Sequence, residues 1–147
     1  YLLNDVVLYP KVGNIDHLVL GPNGLFVIET KNYKGEISCY GDKWQRHYAE
    51  ISYPLSSISK QAKRNAVLLR RFLEENDHSG VFKNIWVNAL VVFVNPHVEL
   101  ALHKPTLPVL RLFEVSDFIK KVKKDERLPD RDLRTLGNVI LKNTTKR

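Results

Sequence analysis

"GNIDHLVLGPNGLFVIETKNYKG", residues 13–35, sets two largely apolar runs on either side of Gly21-Pro22-Asn23-Gly24. Pro, Asn and Gly are strong turn formers, so the stretch predicts a β-hairpin of strands 15–20 and 24–31. Pairing Leu20 with Leu25 carries Asp16 opposite Glu29. Side chains alternate across a strand, so Lys31 falls on that same face, with Leu18, Leu20, Leu25 and Val27 behind the charged triplet. Ile15, Val19, Phe26 and Ile28 are expected to line the opposite face. A slip of one residue would separate the triplet, so its chemistry depends on the register.

Burying an unpaired charge costs several kcal/mol or more, so three ionisable groups in an apolar hairpin need partners, solvent, a metal or a task. Directly opposed Cβ atoms lie about 4.5–5.5 Å apart, which sets the two carboxylates in repulsion unless something positive intervenes. A divalent metal is one answer. Magnesium takes oxygen ligands, uses one or two carboxylates, and keeps waters that a phosphate can replace. A lysine alongside can orient an attacking water or stabilise charge on a phosphate, so the trio suits metal-assisted phosphodiester hydrolysis. A salt bridge from Lys31 to Glu29 or Asp16 at a solvated sheet edge accounts for the same residues equally well.

Beyond the hairpin, residues 5–9 read as a short strand ended by Pro10, and 35–40 as another. Trp44 sits in a polar segment after it. From 55 to 75, apolar residues at 58, 62, 66, 69 and 73 have the period of an amphipathic helix, with Ser56 or Ser57 as its cap. Residues 85–94 are nearly all apolar, as in a central strand covered on both faces. "VLRLFEV" (109–115) predicts a short strand, "SDFIKKVKK" a helix capped by Ser116, and "PDRDLRTLGNVILKN" a last helix. Hairpins first, then a helix, strands and further helices predict an α/β fold: a mixed central sheet opening with antiparallel hairpins and flanked by helices.

The chain has 147 residues, 44% of them hydrophobic, which suits one domain, 1–147, with its own core. Apolar runs such as "ALVVFV" (89–94) fall far short of the roughly 18 residues that span a bilayer, so no membrane segment is expected. The N-terminus lacks the basic and apolar regions of a secretory signal. No methionine occurs. The sequence is therefore a processed product or a piece of a longer protein, and we expect the latter. One cysteine, Cys39, rules out an internal disulfide and a multi-cysteine zinc site, and fits a reducing, cytoplasmic setting. Lys and Arg outnumber Asp and Glu by 23 to 16, a formal charge of +7 that favours polyanionic partners.

"NIDHLVLGPNGLFVIETKNYKGEI", followed by Trp44 and by "YPLSSISKQ" with Gln61 on the predicted helix, resembles the nuclease-related domain (NERD). That family is a branch of the PD-(D/E)xK nuclease-like superfamily. The resemblance covers roughly the first half of the chain and implies a restriction-endonuclease-like core. It also implies that Asp16 and Glu29 bind Mg²⁺ or Mn²⁺, with the Thr30 main-chain carbonyl as a further ligand. Lys31 becomes the catalytic lysine, and Gln61 a helix residue facing the site. Ile15 stands where the superfamily motif has its proline, and the acidic helix that often precedes the first strand has no counterpart in this sequence. Such domains accompany helicase, kinase or zinc-ribbon modules, which are the partners implied for the full-length protein.

Lys60, Lys63, Arg64, Arg70 and Arg71 recur at about helical spacing away from the apolar stripe, as a phosphate-tracking surface or as an ordinary solvated face. "KKVKKDER" (120–127) reads as lysines favouring a helix C-terminus. His17 points away from the carboxylates and is expected to be packed or hydrogen-bonded. The remaining histidines show no HExxH spacing, and no P-loop, G-x-S-x-G or G-x-G-x-x-G occurs. Trp44, Tyr33, Tyr40 and Tyr48 suit stacking on bases, although packing over the sheet edge is expected for most. Two functions remain open: a metal-dependent nuclease acting on DNA, and a non-catalytic nucleic-acid-binding or targeting module on the same fold. A protein-interaction module is the third and least supported.

Overall fold

The computed structural model describes residues 1–8, 14–78, 80, 82–83, 85–122 and 127–144. Among these, nine strands form two mixed sheets, neither closed. The first has the order β1-β2-β3-β7-β9, from β1 (Leu2–Val6), β2 (Ile15–Gly21), β3 (Gly24–Lys31), β7 (Val87–Phe93) and β9 (Val109–Arg111). The second has the order β6-β5-β4-β8, from β4 (Gly35–Tyr40), β5 (Lys43–Tyr48), β6 (Ile51–Leu55) and β8 (Val98–His103). Three helices complete the fold: α1 (Ile58–Glu75), α2 (Val115–Lys121) and α3 (Asp130–Lys142). No helix among the described residues is long and apolar enough to cross a membrane.

The β2–β3 hairpin has the expected register, with Leu20 facing Leu25 and His17 facing Ile28 across a two-residue Pro22-Asn23 loop. Gly24 adopts φ 125°, a conformation that side chains oppose, and an added Cβ would meet the Trp86 carbonyl at 3.1 Å. β7 pairs with β3 in parallel, placing Glu29 beside Val91 and Lys31 beside Phe93. The pair continues into the second sheet as β4 and β8, also parallel. Two main-chain bonds bracket the crossover, Val94 N to Lys31 O at 3.0 Å and Gly35 N to His97 O at 3.3 Å.

Three apolar clusters fill the layers. One packs Leu18, Leu20, Leu25 and Val27 against Leu69 and Leu73 of α1 and Leu136 and Ile140 of α3. A second joins the sheets, with Ile37, Cys39 and Trp44 on Val91, Phe93 and the N-terminal half of α1. A third seats Phe26, Ile28, Leu90 and Val92 beneath Phe118 and Ile119 of α2. β7 is thus covered on both faces, as its unbroken apolar run requires.

The structure departs from the sequence expectations in six places. Ile15 packs with the α1 and α3 cluster and not with Val19, Phe26 and Ile28, because regular pairing of β2 with β3 stops at His17 and alternation fails there. β1 runs Leu2–Val6, not 5–9; Tyr9 and Pro10 lie outside the described residues. The polar segment around Trp44 is a second hairpin, β5–β6, whose Ala49-Glu50 turn has positive φ at both residues without the usual Asn or Gly. Strand β8 is also additional, and the 109–115 segment is a three-residue strand followed by a 3₁₀ turn over Leu112–Glu114. Ser116 lies inside α2, whose cap is Glu114; by contrast, Ser57 does cap α1, accepting from Lys60 N at 3.2 Å. Of "KKVKKDER", residues 123–126 lie outside the described residues.

Candidate functional site

Glu29 sits one residue past the last regular β2–β3 pair, on the face of β3 that looks toward α1. Its side chain is only 4% exposed, and Lys31 Nζ approaches its Oε1 at 3.4 Å with 24% of the lysine side chain exposed. Side chains two apart on a strand share a face, so this contact follows from the Glu-x-Lys spacing. Asp16 stands where the ladder ends, and its carboxylate replaces a main-chain acceptor. Oδ2 takes the Thr30 amide at 2.9 Å and the Thr30 hydroxyl at 3.1 Å. Asp16, Glu29, Thr30 and Lys31 are therefore brought together by the hairpin.

Electrostatics at Glu29 are unbalanced. Burial pushes its carboxyl above the usual range, the Asp16 charge pushes in the same direction, and Lys31 and Arg64 oppose them without prevailing. One lysine does not neutralise two carboxylates, although Asp16 and Glu29 do not form the regular cross-strand pair that the spacing predicted, because the ladder ends at His17 and Ile28. Among the described residues, no group of three or more His, Cys, Asp or Glu could hold a metal ion, so the acidic cluster here is a pair.

Helix α1 forms the roof. Asn65, almost wholly buried, donates from Nδ2 to the main-chain oxygen of Asn14 at 3.3 Å, tying the helix to the residues that lead into Asp16. The amide oxygens Asn14 Oδ1 and Asn65 Oδ1 are buried and lack a donor among the described residues. Nothing in the sequence singled out this asparagine pair; its signal is a polar residue at an inward position of an amphipathic helix. Gln61 is half-buried one turn earlier on α1, and its predicted part in the site rests on that position alone.

The five basic residues of α1 divide. Lys63 pairs with Asp42 at 3.3 Å, and Arg70 with Glu74 at 3.2 Å. Lys60, Arg64 and Arg71 are exposed at spacings of four and seven, which places them on one side of the helix, and the Arg64 charge reaches Glu29. His17 hydrogen-bonds Asn4 Oδ1 at 2.6 Å, away from the carboxylates. Trp44 is core, its ring 5.9 Å from that of Phe93 and its Nε1 donating to Ser59 at 3.1 Å.

The nuclease-related domain, NERD, matches residues 1–94, a span that runs through β7 and includes every residue of the hairpin site and Gln61. An uncharacterized protein of Bacillus anthracis is 46% identical over 46 residues, 29% of this chain and 21% of that protein. The matched stretch thus spans about a fifth of that relative's length. No solved structure matches the chain. With the family's span covering well over half of the sequence and the β2–β3 hairpin, α1 and β7 all inside it, the chain belongs to the nuclease-related domain family.

Proposed function

We propose that this domain is a metal-dependent nuclease that hydrolyses DNA phosphodiester bonds. The observation that carries the proposal is Glu29, a buried carboxylate kept beside a second carboxylate and only partly compensated by Lys31. Mg²⁺ or Mn²⁺ fits this donor set, since two carboxylates and the Thr30 main-chain carbonyl are hard oxygen ligands of the kind both ions take. The oxygens of Asn14 and Asn65 that lack a donor among the described residues support the fit, because a hydrated cation would bring water hydrogens to acceptors where α1 meets the residues leading into Asp16. When bound, the ion would lower the pKa of a coordinated water and polarise a phosphoryl oxygen.

The chain's own residues supply the rest. Asp16 is held by two hydrogen bonds from Thr30, so its carboxylate is fixed before substrate arrives. Lys31, with its ammonium partly in solvent, is freed for a phosphate oxygen once the charge on Glu29 is otherwise compensated. Gln61 serves as a polar group of the helix roof, and Lys60, Lys63, Arg64, Arg70 and Arg71 as backbone contacts, with Lys60, Arg64 and Arg71, exposed on one side of α1, foremost. A second reading, a non-catalytic nucleic-acid-binding or targeting module, draws on the Lys31–Glu29 ion pair, which gives each residue a partner without a substrate.

The deciding experiment incubates supercoiled, linear and single-stranded DNA with the purified domain in Mg²⁺, Mn²⁺ or EDTA, with Lys31→Ala alongside. Metal-dependent cutting that disappears in the variant, while DNA affinity stays within a few-fold, is the expected result. A folded wild type that binds DNA and cuts none of the three substrates would establish the second reading instead.

A further inference from the structure

The β5–β6 hairpin outruns the core that supports its base. Its register places Trp44 opposite Leu55, Arg46 opposite Tyr53, and Tyr48 opposite Ile51, so Trp44, Arg46, Tyr48, Ile51, Tyr53 and Leu55 share one face. At the base, Trp44 is buried against Phe93, the residue paired with Lys31. Towards the turn the same face emerges into solvent, leaving Tyr48 71% and Tyr53 47% exposed, with Ile51 exposed between them. Arg46 lies over the Tyr33 ring at 5.6 Å and reaches the Lys34 carbonyl at 3.4 Å, anchoring this face beside the segment that follows Lys31.

We propose that this face is a stacking surface for the unpaired bases of single-stranded DNA, continuous with the Asp16, Glu29 and Lys31 site. The proposal rests on the nuclease reading for the identity of the site and adds the strand form of the substrate. Two exposed tyrosine rings and a guanidinium on one rigid sheet face are the combination that binds bases without reading sequence. Charge on the hairpin itself favours a polyanion: Lys43 and Arg46 lie on it and Arg46 reaches the Lys34 main chain, against Glu50 at the turn as the acid within residues 43–55. Duplex DNA hides its base faces, so open rings are of use only to a strand whose bases are free. The Ala49-Glu50 turn, φ 48° and 58°, closes the hairpin in two residues and keeps both tyrosines on ordered strands.

The test measures fluorescence anisotropy of a labelled oligothymidylate of about twenty nucleotides, and of a duplex of equal length, in EDTA so that neither is cut. Wild type, Tyr48→Ala/Tyr53→Ala and Tyr48→Phe/Tyr53→Phe are compared, with circular dichroism to verify folding. Wild type should prefer the single strand, the alanine pair should lose about ten-fold or more of that affinity with the duplex unchanged, and the phenylalanine pair should retain it. An alanine pair that binds like wild type would overturn the proposal. So would equal losses for both DNA forms, a wild type that does not bind the single strand, or a wild-type dimer that the alanine pair breaks up. Metal-dependent cleavage by the same preparations separates the two ideas. Cutting without tyrosine-dependent binding leaves the nuclease and removes the stacking surface; tyrosine-dependent binding without cutting does the reverse.

Discussion

Replacing Lys31 by Met keeps most of the apolar stem and removes the ammonium that faces Glu29 at 3.4 Å. The buried carboxylate is then left against Asp16 with only the weaker Arg64 charge to oppose it. It can always escape by taking up a proton, so the cost of the substitution cannot exceed the cost of protonating Glu29. Starting from its ordinary value of 4.5 and about 1.36 kcal/mol for each pH unit above it, that ceiling is about 3.4 kcal/mol at pH 7 and about 0.7 kcal/mol at pH 5. In the wild type the folded-state pKa already lies above 4.5, which brings both ceilings down. The sign follows: the native state holds its proton to higher pH than the unfolded chain, so Glu29 favours folding least where it is ionised, and Lys31→Met enlarges that loss as pH rises. Urea denaturation at pH 5, 6 and 7 should therefore show wild type and variant converging at pH 5 and separating by about 1–3 kcal/mol at pH 7. Added Mg²⁺ should narrow the gap at pH 7. A gap of equal size at pH 5 and pH 7 would refute the reasoning, since loss of packing or of a main-chain contact has no such dependence.

Asp42 accepts from Ser59 and Thr106, both at 2.6 Å, and from Lys63, which together lower its pKa to about 2. Its contribution to stability is present above about pH 4 and lost as pH falls through about 2, so Asp42→Asn should flatten the acid limb of a denaturation profile. Trp44→Ala removes a buried indole shared by both sheets and should cost about 3–5 kcal/mol, read as a fall in urea midpoint with little change in slope. Gly24→Ala forces φ 125° on a residue with a Cβ and pushes it toward the Trp86 carbonyl; a loss above about 1 kcal/mol by thermal melting is expected.

The decisive hairpin was legible because turn chemistry and alternation agreed: Gly-Pro-Asn-Gly fixed the loop, and apolar residues on both faces fixed the register. Helix α1 was legible from its one dominant period, and strand β7 from an apolar run too short for anything but a strand covered on both faces. The second hairpin was not. "KWQRHY" and "ISYPL" alternate only weakly, Pro54 argues against a strand unless it lies at an edge, as β6 does, and the Ala49-Glu50 turn carries no turn signature. At the site, spacing alone placed Asp16, Glu29 and Lys31 together. It could not foresee that Asp16 would take the Thr30 amide, because that bond arises where a ladder ends. Nor could it divide the basic residues of α1, since the partners of Lys63 and Arg70 depend on which loop and which turn lie beside each one.

The parallel pairing of β3 with β7 also bears on the order in which the molecule assembles. The β2–β3 hairpin closes over a two-residue loop and can form within microseconds, whereas Val91 must arrive from about sixty residues further along the chain to lie beside Glu29. Until it does, the carboxylate pair stands in water with its charges screened. The strain of holding Asp16 and Glu29 together is therefore imposed late, by docking of a distant strand, and the nucleus of folding can form free of that repulsion.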